Sequence, residues 1–430
     1  MLAQPAHETA FELAASAIRF GPGSTREVGA DLADLGLRRA LVFTDPNLRN
    51  LPPGHTALQS LEANHISYTL FDRVRIEPSD DSLAEAIRFA SGTEHDAIVA
   101  IGGGSVIDTA KAANLYSCWP ADFLDYVNAP IGKGMPVPGP LKPLIAIPTT
   151  AGTGSETTGV AIFDYKPLRA KTGIAHRRLK PTLGIVDPDN TRTLPSAVAA
   201  SCGLDVLCHA IESWTAIPFT ERIAPDRPIL RPAYQGSNPI SDLWSAEALR
   251  LTARYIRRAV ADPSDNEARS AMLLASSYAG IGFGNAGVHL PHGMSYPVAG
   301  LVRDYRAPGY EVVDHAMVPH GISVILNAPA VFRFTAQASP QRHLQAAEML
   351  GADIAHARPE DAGRILSDHL IELMRDLNIP RGLSALGYTT ADIPDLVAGT
   401  LPQHRVTKLS PRAAGPDDLA QLFEESLTIF

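Results

Sequence analysis

The first half of the chain alternates short apolar runs with amphipathic stretches, and this constrains the fold more than any other feature. Runs at 39–45 and 96–101 are short and largely apolar and read as buried strands, and 66–72, 143–147 and 182–186 read as further strands. Between them, residues 56–64, 81–91 and 105–116 carry a helical period. Strand, helix, strand in succession predicts a parallel sheet with right-handed crossovers. Beyond Pro195 the strand signals stop, and helical periods follow at 197–216, 240–260, 267–282, 322–332, 344–350 and 361–377. The expected division is an α/β domain over residues 1–192 and an all-α domain over 193–430.

The densest group of metal-binding side chains lies in that helical half. Asp205 and His209 stand four apart in a helix-like run, so both point from one face toward a common spot. His292 and His320 each precede a glycine further on. One carboxylate with three imidazoles suits a divalent first-row metal such as iron, zinc or manganese. The ordinary alternative is a helix N-terminal aspartate and a packed histidine, and spacing alone does not bring the four together.

Two glycine loops follow predicted strands. Gly102, Gly103, Gly104 and Ser105 end one strand and open a helix, where free amide N–H groups and the helix dipole favour a phosphate. The pattern is neither G-x-G-x-x-G nor G-x-x-x-x-G-K-[ST], and a tight structural turn remains the alternative. The second loop, 148–158, carries Thr149, Thr150 and Ser155 among glycines, and suits a nucleotide site or a satisfied polar turn. Asp45 ends an earlier strand, where a carboxylate can accept from a ribose 2′-hydroxyl or cap a helix.

Composition excludes several classes. A formal charge of −9 and a pI near 5.9 leave no basic stripe for nucleic acid. Cys118, Cys202 and Cys208 follow no C-x-x-C spacing and read as reduced thiols. No apolar run is long enough to span a bilayer, and residues 1–8 lack a leader pattern. A cytoplasmic location is the expectation.

Gly102 to Ser105 with Asp108 and Lys111, the 148–156 loop, and Asp205, His209, His292 and His320 occur in an order that resembles the iron-containing (group III) alcohol dehydrogenase family. Within it the likeness is greatest to the hydroxyacid-oxoacid transhydrogenases, carried by 129–134, 231–242, 282–289, 399–403 and 405–409. The resemblance implies a dehydroquinate synthase-like fold, with an α/β dinucleotide-binding domain, a helical metal-binding domain and the active site between them. It implies Asp205, His209, His292 and His320 as ligands of Fe(II), or sometimes Zn(II). It places Asp45, Gly102, Gly103, Gly104, Ser105, Asp108, Thr149, Thr150, Ser155 and Lys171 around NAD. Many alcohol dehydrogenases of the family carry a second histidine four residues after the third ligand; here Tyr296 stands there.

The implied reaction oxidises 4-hydroxybutyrate to succinate semialdehyde and reduces 2-oxoglutarate to 2-hydroxyglutarate. Small hydroxy and oxo acids are then the partners, and a homo-oligomer, a dimer, is expected. Both substrates carry carboxylates, for which Arg231, Arg303 and Lys171 are the candidate cations. His289, three residues before a ligand, is a candidate to orient substrate or support the metal shell. The rival functions are an alcohol dehydrogenase that releases NADH, a metal-dependent hydrolase and a non-catalytic binding protein.

Overall fold

The computed structural model describes residues 7–430. Residues 1–6, most of the opening stretch read above for a leader, lie outside the described residues. The strands are β1 (Ala17–Phe20), β2 (Arg39–Phe43), β3 (Ser67–Phe71), β4 (Ala97–Gly102), β5 (Leu144–Pro148), β6 (Val160–Tyr165), β7 (Ala170–Ala175) and β8 (Leu183–Val186). Six of them form one parallel sheet in the order β1-β8-β5-β4-β2-β3. Helices α1 (Val28–Asp34), α2 (Pro52–Ala63), α3 (Asp80–Ser91), α4 (Gly104–Cys118) and the short α5 (Phe123–Tyr126) accompany it.

The apolar runs are continuous because both faces of the sheet are covered. On one face Leu41, Phe43, Ile98 and Ala100 pack with residues of α3 and α4. On the other, Ala40, Val42, Val99 and Ile101 pack with Val28, Leu32 and Leu61. Successive residues of a strand point to opposite faces, so each run serves two layers. Burying one such side chain contributes about 1.5–3 kcal/mol.

Strand β1 and the antiparallel hairpin of β6 and β7 add to the strands expected from the apolar runs. Strand β7 contains a buried lysine, Lys171, and Gly173, which break an apolar pattern.

The remainder is helical: α6 (Ser196–Thr215), α7 (Pro239–Ala261), α8 (Asn266–Ala286), α9 (Leu290–Gly300), α10 (His320–Ile325), α11 (Ala328–Ala336), α12 (Pro340–Met349), α13 (Ala362–Asp376), α14 (Ile393–Thr400), α15 (His404–Thr407) and α16 (Pro416–Leu427). Helix α6 is buried along most of its length and packs against α7, α8 and α10. The single helix expected over 322–332 is two. The chain breaks at Leu326 and Asn327, and Pro329 sits in the first turn of α11, where its missing N–H has no helical partner to lose.

Candidate active site and metal centre

Three elements bring the metal-binding side chains together. Asp205 and His209 lie one turn apart on α6, His292 is in the first turn of α9, and His320 begins α10. One ligand atom from each lies within 4.8 Å of all the others. A single Asp205 carboxylate oxygen stands 3.7 Å from His209 Nε2, 3.5 Å from His292 Nε2 and 3.8 Å from His320 Nε2. That oxygen and His292 Nε2 are buried without a hydrogen-bond partner. These separations are too long for hydrogen bonds and leave room at their centre. Buried polar atoms left orphaned around a common point fit a bound cation.

Glycine permits the close approach. A Cβ at Gly321, beside His320, would lie 1.9 Å from the Ser201 carbonyl oxygen of α6. His209 is also clamped by stacking on Phe283, with ring centres 3.9 Å apart.

Glu212, which the sequence reading did not single out, fixes the geometry of His292. One turn beyond His209 and fully buried, its Oε1 accepts from His292 Nδ1 at 2.6 Å. Its Oε2 accepts from the backbone N–H of His289 at 2.6 Å. With one proton held on Nδ1, Nε2 points at the cluster, and it offers a lone pair there once a cation displaces the second proton. The available signal was the carboxylate seven residues after Asp205, on the same helical face.

Charge follows from burial and neighbours. Burial pushes His209 down to about 3, so its ring is neutral and ligand-competent. Burial also works against a charged His292, but Glu212 and Asp205 outweigh it and raise the group to about 10. Desolvation opposes ionised Asp205 as well, yet His209, His320 and His292 hold it well below the usual carboxylate range. A site that holds a proton between two carboxylates offers the same field to a metal cation.

The glycine loops reach the same place. A cavity of about 90 Å³ is lined by Gly104, Ser105, Asp108 and Ser155 on one side and by His209, His292 and His320 on the other. Gly104 lets the loops meet, since a Cβ there would lie 2.5 Å from the Thr153 methyl group. The Thr149 N–H donates to the Gly102 carbonyl oxygen at 3.2 Å. Thr150 packs beside Gly103, where an added Cβ would lie 3.1 Å from its hydroxyl. Asp108 accepts from the Ser155 hydroxyl, the Lys111 ammonium at 3.4 Å and the Ile162 N–H at 2.9 Å. Asp45 accepts from the N–H groups of Asn47 and Leu48 at 2.9 and 3.0 Å, the local capping role.

The other candidates divide. Lys171 lines the cavity but is held by Glu77 and, at 3.1 Å, by Asp164. Tyr296 lines it too. Arg231 does not: it pairs with Glu8 at 2.9 Å, away from the cavity. Exposed Arg303 pairs with Asp392. The fully buried His289 ring meets the Thr215 hydroxyl at 2.9 Å and does not line the cavity, while its backbone N–H donates to Glu212. Neither Arg231 nor His289 lines the cavity, and of the two roles expected of His289 its bond to Glu212 fits support of the metal shell. Sequence proximity to a ligand does not fix where a side chain points.

Comparison with known proteins places this architecture. Residues 15–188 match iron-containing alcohol dehydrogenase, and residues 233–427 match the C-terminal part of the Fe-containing alcohol dehydrogenase family. The chain belongs to the iron-containing alcohol dehydrogenase family, a class of oxidoreductases, and membership implies binding of a metal and of NAD. It is 61% identical over 425 residues to the mitochondrial hydroxyacid-oxoacid transhydrogenase of Xenopus tropicalis, covering 98% of this chain and 92% of the relative. The human protein of the same name is 59% identical over 423 residues, covering 98% of this chain and 90% of the relative. Among solved structures, a 1,3-propanediol oxidoreductase superposes with a TM-score of 0.84 at 28% identity, over 97% of this chain and 100% of that one.

These names correct the expected cytoplasmic location, because the relatives are named mitochondrial. Free thiols separate reducing from oxidising compartments and do not tell a cytoplasm from a mitochondrion. No helix among the described residues is long and apolar enough to cross a membrane.

Proposed function

We propose that this chain is a hydroxyacid-oxoacid transhydrogenase that oxidises 4-hydroxybutyrate to succinate semialdehyde and reduces 2-oxoglutarate to 2-hydroxyglutarate. The observation that carries the reading is one cavity bordered by both the glycine loop and three histidines of the metal cluster. The near-complete alignment with relatives of that name supports it. In this reading Asp205, His209, His292 and His320 hold Fe(II), with Zn(II) as the alternative metal. Gly102, Gly103, Gly104, Ser105, Asp108, Thr149, Thr150, Ser155, Lys171 and Asp45 surround NAD. The division at residues 192 and 193 and a homodimeric state belong to the same proposal.

When bound, the metal supplies Lewis acidity toward the substrate oxygen, and the nicotinamide supplies the means of moving hydride between substrates. The chain's own part is alignment and exclusion of water. Glu212 holds the His292 proton on Nδ1. Phe283, Tyr234, Val288 and Tyr296 form an apolar wall beside the histidines. Such a wall strengthens the local electrostatics and protects the reduced cofactor from side reactions.

Retaining the reduced cofactor between half-reactions avoids a release step, and release often limits turnover. The test supplies 4-hydroxybutyrate deuterated at the carbinol carbon, with 2-oxoglutarate and an excess of unlabelled free NADH. Direct transfer places deuterium on C2 of 2-hydroxyglutarate with little dilution, under ping-pong kinetics. Washout of label into the free NADH, or no product without added NAD, would make the enzyme an alcohol dehydrogenase that releases its cofactor.

A further inference from the structure

Each half-reaction proposed above uses an acid whose reacting carbon lies three bonds from a carboxylate carbon: C4 and C1 in 4-hydroxybutyrate, C2 and C5 in 2-oxoglutarate. One cation at a fixed distance from the metal cluster would serve both. The three cations suggested by the sequence already have anions. Arg231 is tied to Glu8, Arg303 to Asp392, and Lys171 to Glu77 and Asp164. Drawing any of them to a substrate would strand a carboxylate.

Arg405 differs. It lies in α15, half-buried, and no carboxylate among the described residues pairs with it. Its Nη2 donates to the Tyr296 hydroxyl at 2.8 Å, and its guanidinium carbon lies 4.8 Å from the centre of the Tyr234 ring. Its Nη1 is shut off from solvent and has no hydrogen-bond partner. A guanidinium held inside a protein without a counter-ion is costly, so it marks a place where an anion is to be received.

Both tyrosines line the cavity that holds His209, His292 and His320. Arg405 stands behind them, lining a small neighbouring cavity with Thr172 and Gln403, so its charge reaches the substrate cavity through the two tyrosines. Tyr296 accepts from Arg405, which leaves its own O–H to donate toward that cavity. On α9 it follows His292 by four residues, a rise of about 6 Å. That is the order of the span a four-carbon hydroxy acid covers between its hydroxyl and its carboxylate.

We propose, resting on the function above, that Arg405 with Tyr234 and Tyr296 binds the distal carboxylate of both substrates. Arg405 supplies the charge, the tyrosine hydroxyls supply the donors, and the distance to the metal cluster selects the chain length.

The test is the ratio of kcat/KM for 4-hydroxybutyrate to that for butan-1-ol, in which a methyl group replaces the carboxylate. It is measured in the wild type, Arg405→Met and Arg405→Lys. The ratio falls about 10- to 100-fold in Arg405→Met, the worth of a hydrogen bond to a charged group. It falls less in Arg405→Lys, where a compact ammonium replaces the planar fork. The KM for 2-oxoglutarate rises in both variants.

A purely structural role for Arg405 lowers both substrates alike. An unchanged ratio therefore overturns the proposal. If Arg405→Met does not fold, an unchanged ratio in Arg405→Lys overturns it equally. A wild type that oxidises 4-hydroxybutyrate without passing hydride to 2-oxoglutarate refutes the transhydrogenase, while the ratio still decides Arg405. A wild type that oxidises only butan-1-ol refutes both.

Discussion

Replacing Glu212 by Gln tests how the chain holds its third ligand, His292. Glu212 Oε1 accepts from His292 Nδ1 at 2.6 Å, and Oε2 accepts from the N–H groups of His289 and His292 at 2.6 and 3.4 Å. The ionised carboxylate can accept all three bonds. An amide of the same shape accepts through one oxygen and presents N–H on its other side. If the amide oxygen faces the backbone, the NH₂ meets Nδ1–H and favours the neutral His292 tautomer that keeps its proton on Nε2. That atom stands 3.5 Å from Asp205 and, once protonated, binds no metal. If the oxygen faces Nδ1 instead, backbone N–H groups lose their acceptor at a cost of about 1–3 kcal/mol. Either arrangement weakens metal binding about 10- to 100-fold. The assay is competitive titration of Zn(II) or Fe(II) against a chromophoric chelator, with circular dichroism to follow the fold. His320→Ala, which removes a ligand outright, marks the lower limit. Wild-type affinity in Glu212→Gln would refute the claim that this carboxylate fixes the imidazole.

Three further outcomes are expected. Asp45→Ser keeps a capping oxygen for the Asn47 and Leu48 N–H groups but removes the charge. Preference for NAD over NADP should then relax about tenfold in dissociation constants, and an unchanged ratio would leave Asp45 as a cap alone. Gly321→Ala places a methyl group 1.9 Å from the Ser201 carbonyl oxygen, so α10 must move off α6. Stability falls by about 1–3 kcal/mol in chemical denaturation, together with metal content. His343 is fully buried between the Thr335 hydroxyl and the Ser339 carbonyl oxygen, and burial lowers it from 6.5 to about 4. The unfolded chain therefore takes up this proton first as pH falls. Stability is full above pH 6.5 and is lost toward pH 4, by about 3 kcal/mol for one such group. His343→Gln should flatten the stability–pH curve in that window, and an unchanged slope would count against the assignment.

The cavity depends on contacts between residues remote in sequence, and that separates what was legible from what was not. A helical spacing of four is a local property, so Asp205 and His209 could be paired on sight. The segments at 39–45 and 96–101 are apolar because the parallel sheet is covered on both sides, so the layered architecture was legible too. Strand β1 was not, because its four residues are only partly covered and its half-buried Arg19, which turns to Asp31, interrupts the apolar run. The hairpin of β6 and β7 was hidden by a lysine whose burial only Glu77 and Asp164 explain.

The sequence by itself determined the element order, the helical face shared by Asp205 and His209, and the glycine loops at strand ends, because each follows from backbone periodicity and local sterics. Only the tertiary structure decided which charges are spent and which are free. Arg231 is neutralised by Glu8, 223 residues away, and Arg405 is turned onto Tyr296 across 109 residues. A carboxylate's role as cap, counter-ion or orienter of a histidine depends on what lies within about 3 Å. Chain order does not encode that distance until the α/β and helical halves pack around the cavity.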